Sequence, residues 1–279
     1  MEITITKDEF EKALPVGTSA NEGVLEAVMP AISEQVTVLS RTMLGLAGQT
    51  YMEQQGPSSE VVRSFKKLVS LKGFLSVLRQ LDLVLTPTGF GVVSNQNLTP
   101  ASSQRVNALE GQLRTEYLKA LGTTLHLLRS ENWGSSPQAK LLIGHLYDVY
   151  TFFHVTHESA TYTDWKAFTP SADDADELLR SWISNAQMNA FLDAYRRADP
   201  LLLEQYQEAI DLVVKVTDAY ATMGASVVKA PVFRRLMRHL DSDDNQEIFK
   251  PYRQSREYKA NHHEPFRNKQ DSAGYLFNG

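Results

Sequence analysis

The sequence predicts a mainly α protein: helical bundles carrying one short β-hairpin insertion, at about residues 86–97, and ending in an extended C-terminal arm. Three observations predict it. Apolar residues recur at steps of three and four through most of the chain. Clusters of Pro, Gly and Ser cut that pattern into helix-sized lengths. One segment, Leu81–Arg105 (LDLVLTPTGFGVVSNQNLTPASSQR), breaks it with strand-like and turn-like residues.

At the start, Ile3 and Ile5 alternate with polar residues and read as a short strand. A loop with Pro15 and Gly17 follows, then Asn21 as an N-cap. Val28, Ile32, Val36, Leu39, Met43 and Leu46 predict a helix from Val24 to about Glu53, kinked or restarted at Pro30. Ser58 or Ser59 caps the next helix, expected to run to about Leu85, with Val61, Phe65, Leu68, Leu71, Leu75 and Leu78 as its buried stripe.

Pro87 then stops the helix. Gly89 and Gly91 flank Phe90, Val92-Val93 is strand-like, and Ser94–Asn97 is turn-like. Thr99-Pro100 opens a helix carrying Val106, Leu109, Leu113, Tyr117, Leu121 and Leu125.

Asn132–Pro137 (NWGSSP) is the expected boundary. It divides residues 1–132 from a second helical unit, 138–248, with 249–279 as the arm. Within the second unit the pattern predicts an aromatic helix over 138–156, a loop from Thr161 to Ala172, and helices over 174–196, 200–223 and 230–240. The arm holds six aromatics, among them Tyr258, Phe266, Tyr275 and Phe277, too many for a simple disordered tail.

Composition narrows the classes of function. Hydrophobic residues make up 42% and charged residues 22% of 279, enough to bury a core. A net charge of −5 argues against general nucleic-acid binding by the whole chain. The charge is uneven. Residues 164–247 hold 9 Lys/Arg against 15 Asp/Glu, a balance of −6, and residues 248–279 hold 6 against 3, a balance of +3. There is no cysteine, which excludes disulfides, thiol catalysis and Cys-ligated metal. No apolar run suits a membrane span, and the N-terminus lacks the pattern of a signal peptide, so a soluble intracellular protein is expected.

Chemistry-bearing patterns are sparse. On a helix His154, His157 and Glu158 share a face, the right donor set for zinc or iron, although the order is not that of an HExxH metalloprotease. The competing reading is a polar end to an aromatic helix. Asp241, Asp243 and Asn245 begin like a calcium loop, but Gln246 stands where the turn needs Gly and Tyr252 where a bidentate Glu is needed. Ser64/Lys67 and Ser226/Lys229 match S-x-x-K without the K-T-G that penicillin-recognising enzymes require. The acidic cluster Asp173, Asp174, Asp176, Glu177 fits a first helical turn. No cofactor is predicted.

The segment from Leu83 to Asn97, followed by Thr99-Pro-Ala-Ser and a charged helix, resembles an uncharacterised family of Bacteroidetes genomes and prophages, found near capsid and tail genes. The layout is similar to the head–tail connector (adaptor) proteins of tailed phages, helical ring subunits with a β tongue between helices and terminal arms that reach neighbours. The resemblance is specific over 81–105, architectural over 20–130, and gives no counterpart for 138–279.

It implies a non-enzymatic virion-assembly protein, with itself, portal and tail-completion proteins as partners and non-specific contact with DNA in a channel. It places the protein in the virion, or in the bacterial cytoplasm during assembly. Phe90, Val92 and Val93 become the expected tongue contacts, and Tyr258, Phe266, Tyr275 and Phe277 the expected arm contacts. Two rival readings stay open: a metal-dependent enzyme built on His154, His157 and Glu158, and a monomeric binding protein of host origin.

Overall fold

The computed structural model describes residues 3–15, 23–81 and 102–262 in full, and residues 83–86 and 89–92 by their backbone. The described chain is mainly helical. Its first helix, α1 (Lys7–Ala13), falls where the sequence predicts only a short strand and the loop that follows it. A capping box starts it: Thr6 Oγ1 accepts from the Glu9 amide, and the Glu9 carboxylate accepts from the Thr6 amide. Residues 3–6 ahead of it pair with no strand among the described residues.

The helix predicted over Val24–Glu53 is two helices, α2 (Gly23–Leu39) and α3 (Gly45–Gln55). Pro30 lies inside α2. The break comes later, through a π turn at Ser40–Leu44 and Gly45 at φ +58°, a backbone conformation that favours glycine.

Helix α4 (Glu60–Val77) packs along α2 and along α5 (Ser103–Leu128). Its Val61, Phe65, Leu68 and Leu71 are buried as the stripe predicts. The α4–α5 pair is antiparallel. Ser64 bonds Thr124 at 2.7 Å, Lys67 pairs with Glu116 at 3.3 Å, Lys72 lies over the Tyr117 ring, and Arg79 Nε donates to Glu110 at 2.9 Å. From Ser64 to Arg79 along α4 the partners on α5 run back from Thr124 to Glu110. Glu110 also receives Arg114, and these two guanidiniums, Arg114 foremost, hold its carboxyl below the usual range. Between the two helices the backbone of Leu83–Thr86 and Gly89–Val92 forms an antiparallel ladder, with Leu83 opposite Val92. Helix α5 starts at the Ser102 cap, and Thr99 and Pro100 lie outside the described residues.

Beyond α5, the short helices α6 (Glu131–Gly134) and α7 (Pro137–Leu142) follow. The aromatic helix predicted over 138–156 ends at Leu142. The chain is irregular to α8 (Val149–Thr151) and then takes a second π turn, Phe152–Thr156.

The predicted loop 161–172 is instead the first half of α9 (Tyr162–Ile183), which Thr161 and Asp164 open with another capping box. The acidic cluster therefore sits mid-helix, where Asp173 meets His145 at 3.3 Å and Asp176 meets Arg180 at 2.6 Å. Ser184, at φ +110°, divides α9 from α10 (Asn185–Arg197). Helices α11 (Pro200–Met223) and α12 (Pro231–Asp241) stand where the two prolines place their starts.

The arm is not extended over its first part. Residues 250–261 form α13 (Lys250–Arg253) and α14 (Arg256–Asn261), and Phe249 and Tyr252 are fully buried. Tyr252 donates to Asp241 Oδ1 at 2.9 Å and its amide donates to Gln187 Oε1. Two buried aromatic side chains are worth roughly 2–3 kcal/mol each, more than an extended, solvated chain recovers.

A single cluster of buried side chains runs from Ile5 to Tyr252 and passes through the predicted boundary at 132–137. Trp133 in that stretch is fully buried and donates from its indole nitrogen to the Met43 carbonyl at 3.1 Å. Its ring lies against Gly48 of α3, where a Cβ would stand 2.9 Å from it. Gly134 faces the end of α10, where a Cβ would come 2.4 Å from the Arg196 carbonyl oxygen. That neighbour is backbone and cannot swing away. Gly134→Ala should therefore cost about 1–3 kcal/mol of overpacking, read as a lower urea midpoint with an unchanged slope. Ala198, the C-cap of α10, sits left-handed at φ +50°. Ala198→Gly should raise stability by up to about 1 kcal/mol, and a drop in thermal midpoint would contradict this.

Candidate functional site

The residues expected to carry chemistry lie on the irregular stretch 143–157, between α5 and α11. One π turn, Phe152–Thr156, and non-helical backbone there send neighbouring side chains to different partners. His154 turns to α5. Its Nε2 is 3.2 Å from Thr123 Oγ1 and 3.1 Å from the Lys119 carbonyl. His157 ends the π turn with φ −132° and ψ 60° and turns to α11, where its Nε2 is 2.7 Å from Asp218 Oδ1. Glu158 is exposed. The shared face expected of His154, His157 and Glu158 is therefore not formed, because the segment is not α-helical. Among the described residues no group of three or more His, Cys, Asp or Glu is placed to hold a metal.

The structure assembles two polar clusters instead. In the first, Tyr147 donates to Asp218 Oδ1 at 3.0 Å and shares a short hydrogen bond with Thr156, so Asp218 gathers Tyr147 and His157 together. Burial pushes the Tyr147 hydroxyl well up, which keeps it a donor. The rings of Phe152, Trp165 and Phe168 pack beside it. Polar and aromatic contacts together fasten 147–157 to α9 and α11.

The second cluster lines a cleft of about 300 Å³ with α5 on one side and α11 on the other. His126 stacks on Tyr150 at 3.8 Å, and Tyr150 on His154 at 4.9 Å. Arg129 lies over the Tyr195 ring at 4.3 Å and its NH2 is 3.1 Å from His126 Nε2. Arginine donates only, so Nε2 accepts and the ring is neutral. Beneath them Asp148 is buried, accepts from the Thr151 amide at 2.9 Å, and receives the Tyr195 hydroxyl at 3.3 Å. Burial pushes the Asp148 carboxyl up. From sequence, Asp148 and His145 stand one to three turns ahead of the His154/His157/Glu158 metal candidate, and His126 has no role. The D-x-x-T spacing of an N-cap was the available sign for Asp148.

The expected assembly contacts fare differently. For Phe90 and Val92 only the backbone is described, and Val93 lies outside the described residues. Tyr258 is no free anchor. It meets Tyr252 edge-on at 5.2 Å, stacks on His262 at 4.1 Å, and accepts from Arg253 NH1 at 2.8 Å. Phe266, Tyr275 and Phe277 lie outside the described residues. Among those described, no helix is long and apolar enough to cross a membrane.

The second cluster has a pH signature. Burial, then the Arg129 and His154 charges, push His126 from 6.5 down to about 4. A base with a lowered folded pKa leaves the unfolded state binding more protons, so its contribution is present above 6.5 and lost as pH falls towards 4. Glu9 and Glu110, both held low, give up theirs only below 4.5. Asp148 acts with the opposite sign, so the readout is the difference between wild type and variant. His126→Gln should flatten stability against pH between 6.5 and 4 in urea titrations, and an unchanged slope would refute the assignment.

A family of unknown function (DUF6712) matches residues 26–141, less than half of the chain. The match runs from the first turn of α2 to the last turn of α7 and includes the α4–α5 insertion. No curated protein and no solved structure matches the chain.

Proposed function

We propose that the protein is a non-enzymatic structural subunit of a tailed phage or prophage, a head–tail connector (adaptor) that works by self-association and docking to portal and tail proteins. The observation that carries this reading is the position of the insertion. Residues 81–102 leave from the end of α4 and return at the start of α5, two helices packed antiparallel. The insertion therefore stands at one end of a paired strut, as a connector tongue does. A short Gly-containing ladder is marginal alone and gains stability by packing on something else. The resembling stretch, 81–105, falls inside the family match.

A second surface, at the opposite end of the α5 strut from the insertion, offers apolar side chains for a neighbour. Leu46 on α3 is 83% exposed and Leu141 on α7 is 80% exposed. Leu46 lines an open cleft with Pro137 and Gln138, and Leu141 lies one turn beyond Gln138. Large apolar side chains held in water around a cleft are the usual mark of a docking surface.

The test is mass by light scattering on size exclusion, with and without a portal ring from the same genome. A ring, or portal-dependent binding lost on deleting 88–97 or on Leu46→Glu with Leu141→Glu, is the expected result. Deleting 249–279 is not a usable control, because Phe249 and Tyr252 belong to the core. A strict monomer that ignores the portal would end the connector reading in favour of a binding protein.

A further inference from the structure

Between the C-terminal part of α9 and α12 lies a groove of about 680 Å³, open among the described residues. Helix α12 brings two adjacent rows to it. Phe233 and Met237, four residues apart, form an apolar row, and Arg234 and Arg238, also four apart, form a basic row beside it. Trp182 of α9 meets the apolar row, its ring edge-on to Phe233 at 5.3 Å. Arg235 and His239, on the same helix, both turn to Glu208, at 2.9 and 3.5 Å. Arg234 and Arg238 are exposed and meet no carboxylate among the described residues. Asp241, at the end of the groove, is engaged elsewhere: it accepts from Tyr252 at 2.9 Å and lies 3.3 Å from His262 Nε2.

We propose that this groove docks an extended segment of a different protein, in which an aromatic residue stands between two acidic ones. Charge complementarity carries the choice. Two guanidiniums without carboxylates, set beside an apolar row, match carboxylates set beside an apolar side chain. The spacing agrees. Arg234 and Arg238 are one helical turn apart, roughly 6 Å along the axis. Alternate side chains of an extended segment share one side, roughly 7 Å apart. Two acidic residues therefore meet the two arginines, while the ring between them turns to the other side of the groove and to Trp182. A nucleic acid fits less well. Residues 164–247 carry a balance of −6, which repels a polyanion more than a short segment with two carboxylates. A second copy of the chain fits less well too. Its one aromatic between two acidic residues is Phe10, flanked by Glu9 and Glu11, and Phe10 is buried in the core. The inference is independent of the connector reading, and its test uses neither the insertion nor a portal.

The probe is a fluorescein-labelled pentapeptide, GEWEG, titrated with the full chain and read by anisotropy at low salt. Saturable binding is expected, on the order of tenfold tighter than for GQWQG and weakening as salt screens the charges. Arg234→Glu with Arg238→Glu should weaken GEWEG by a similar factor and bind GKWKG instead, a gain that also shows the variant to be folded. If that variant does not fold, Arg234→Gln with Arg238→Gln decides, by removing the preference for GEWEG over GQWQG. No saturable binding, or binding that ignores these substitutions, would overturn the proposal. Displacement of the peptide by a short oligothymidylate at lower concentration than by unlabelled GEWEG would overturn it too, assigning the groove to nucleic acid. So would a dimer on size exclusion that the charge reversal abolishes, which would assign the groove to a second copy.

Discussion

Two adjacent residues, Trp133 and Gly134, hold the first and second halves of this protein together. The Trp133 indole enters the first half through Gly48 and bonds the Met43 carbonyl, a group in the π turn that joins α2 to α3. Gly134 lets α6 approach the backbone of Arg196 at the end of α10. One residue contributes the largest buried side chain and the next contributes none. A smaller residue at 133 would leave a cavity and a larger one at 134 a clash, and interiors are packed too closely to absorb either. Because the core runs unbroken through this point, the two halves cannot slide past each other without opening it.

The irregular stretch 143–157 depends on that junction. It is too polar to be held by apolar packing alone, so its groups are satisfied in knots. Asp218 collects Tyr147 and His157, and Asp148 collects Thr151 and Tyr195. Each knot joins elements distant in sequence, and buried polar groups are tolerated only when so paired. This also explains why histidines that look like metal ligands in sequence are structural. Each is already bonded to a different helix.

The legible parts of the sequence were those with long periodic patterns. The α4 stripe, the body of α5, and the proline-marked starts of α11 and α12 follow from spacing alone. Three kinds of feature were misread. Capping boxes at Thr6/Glu9 and Thr161/Asp164 were present in the sequence and passed over, which turned α1 and the start of α9 into loops. The π turns and the positive φ of Gly45 and Ser184 break helices without a proline, so periodicity ran through them. The aromatics at 249 and 252 read as the start of an arm because their partners, Tyr206 and Gln187, lie far back in sequence. The sequence named no role for the cleft residues, since stacking and cation–ring contacts across helices leave no local pattern.

Helix α5 sets the distance between what is fixed and what is presented. The insertion enters its N-terminus and Trp133 follows its C-terminus. Its 26 residues place those two points roughly 39 Å apart. Between them, the ion pairs and Ser64–Thr124 bond along α4 hold the strut in register. The insertion-bearing end also joins the core, through Phe74 on α4 and through Leu78 and Leu109 packed against it, and the backbone ladder of Leu83–Thr86 and Gly89–Val92 stands beyond it. The 147–157 region is tied on both sides, to α5 through His154 and to α11 through Tyr147 and His157. The fold thus separates the end of the strut that carries the insertion from the end clamped by Trp133 and Gly134.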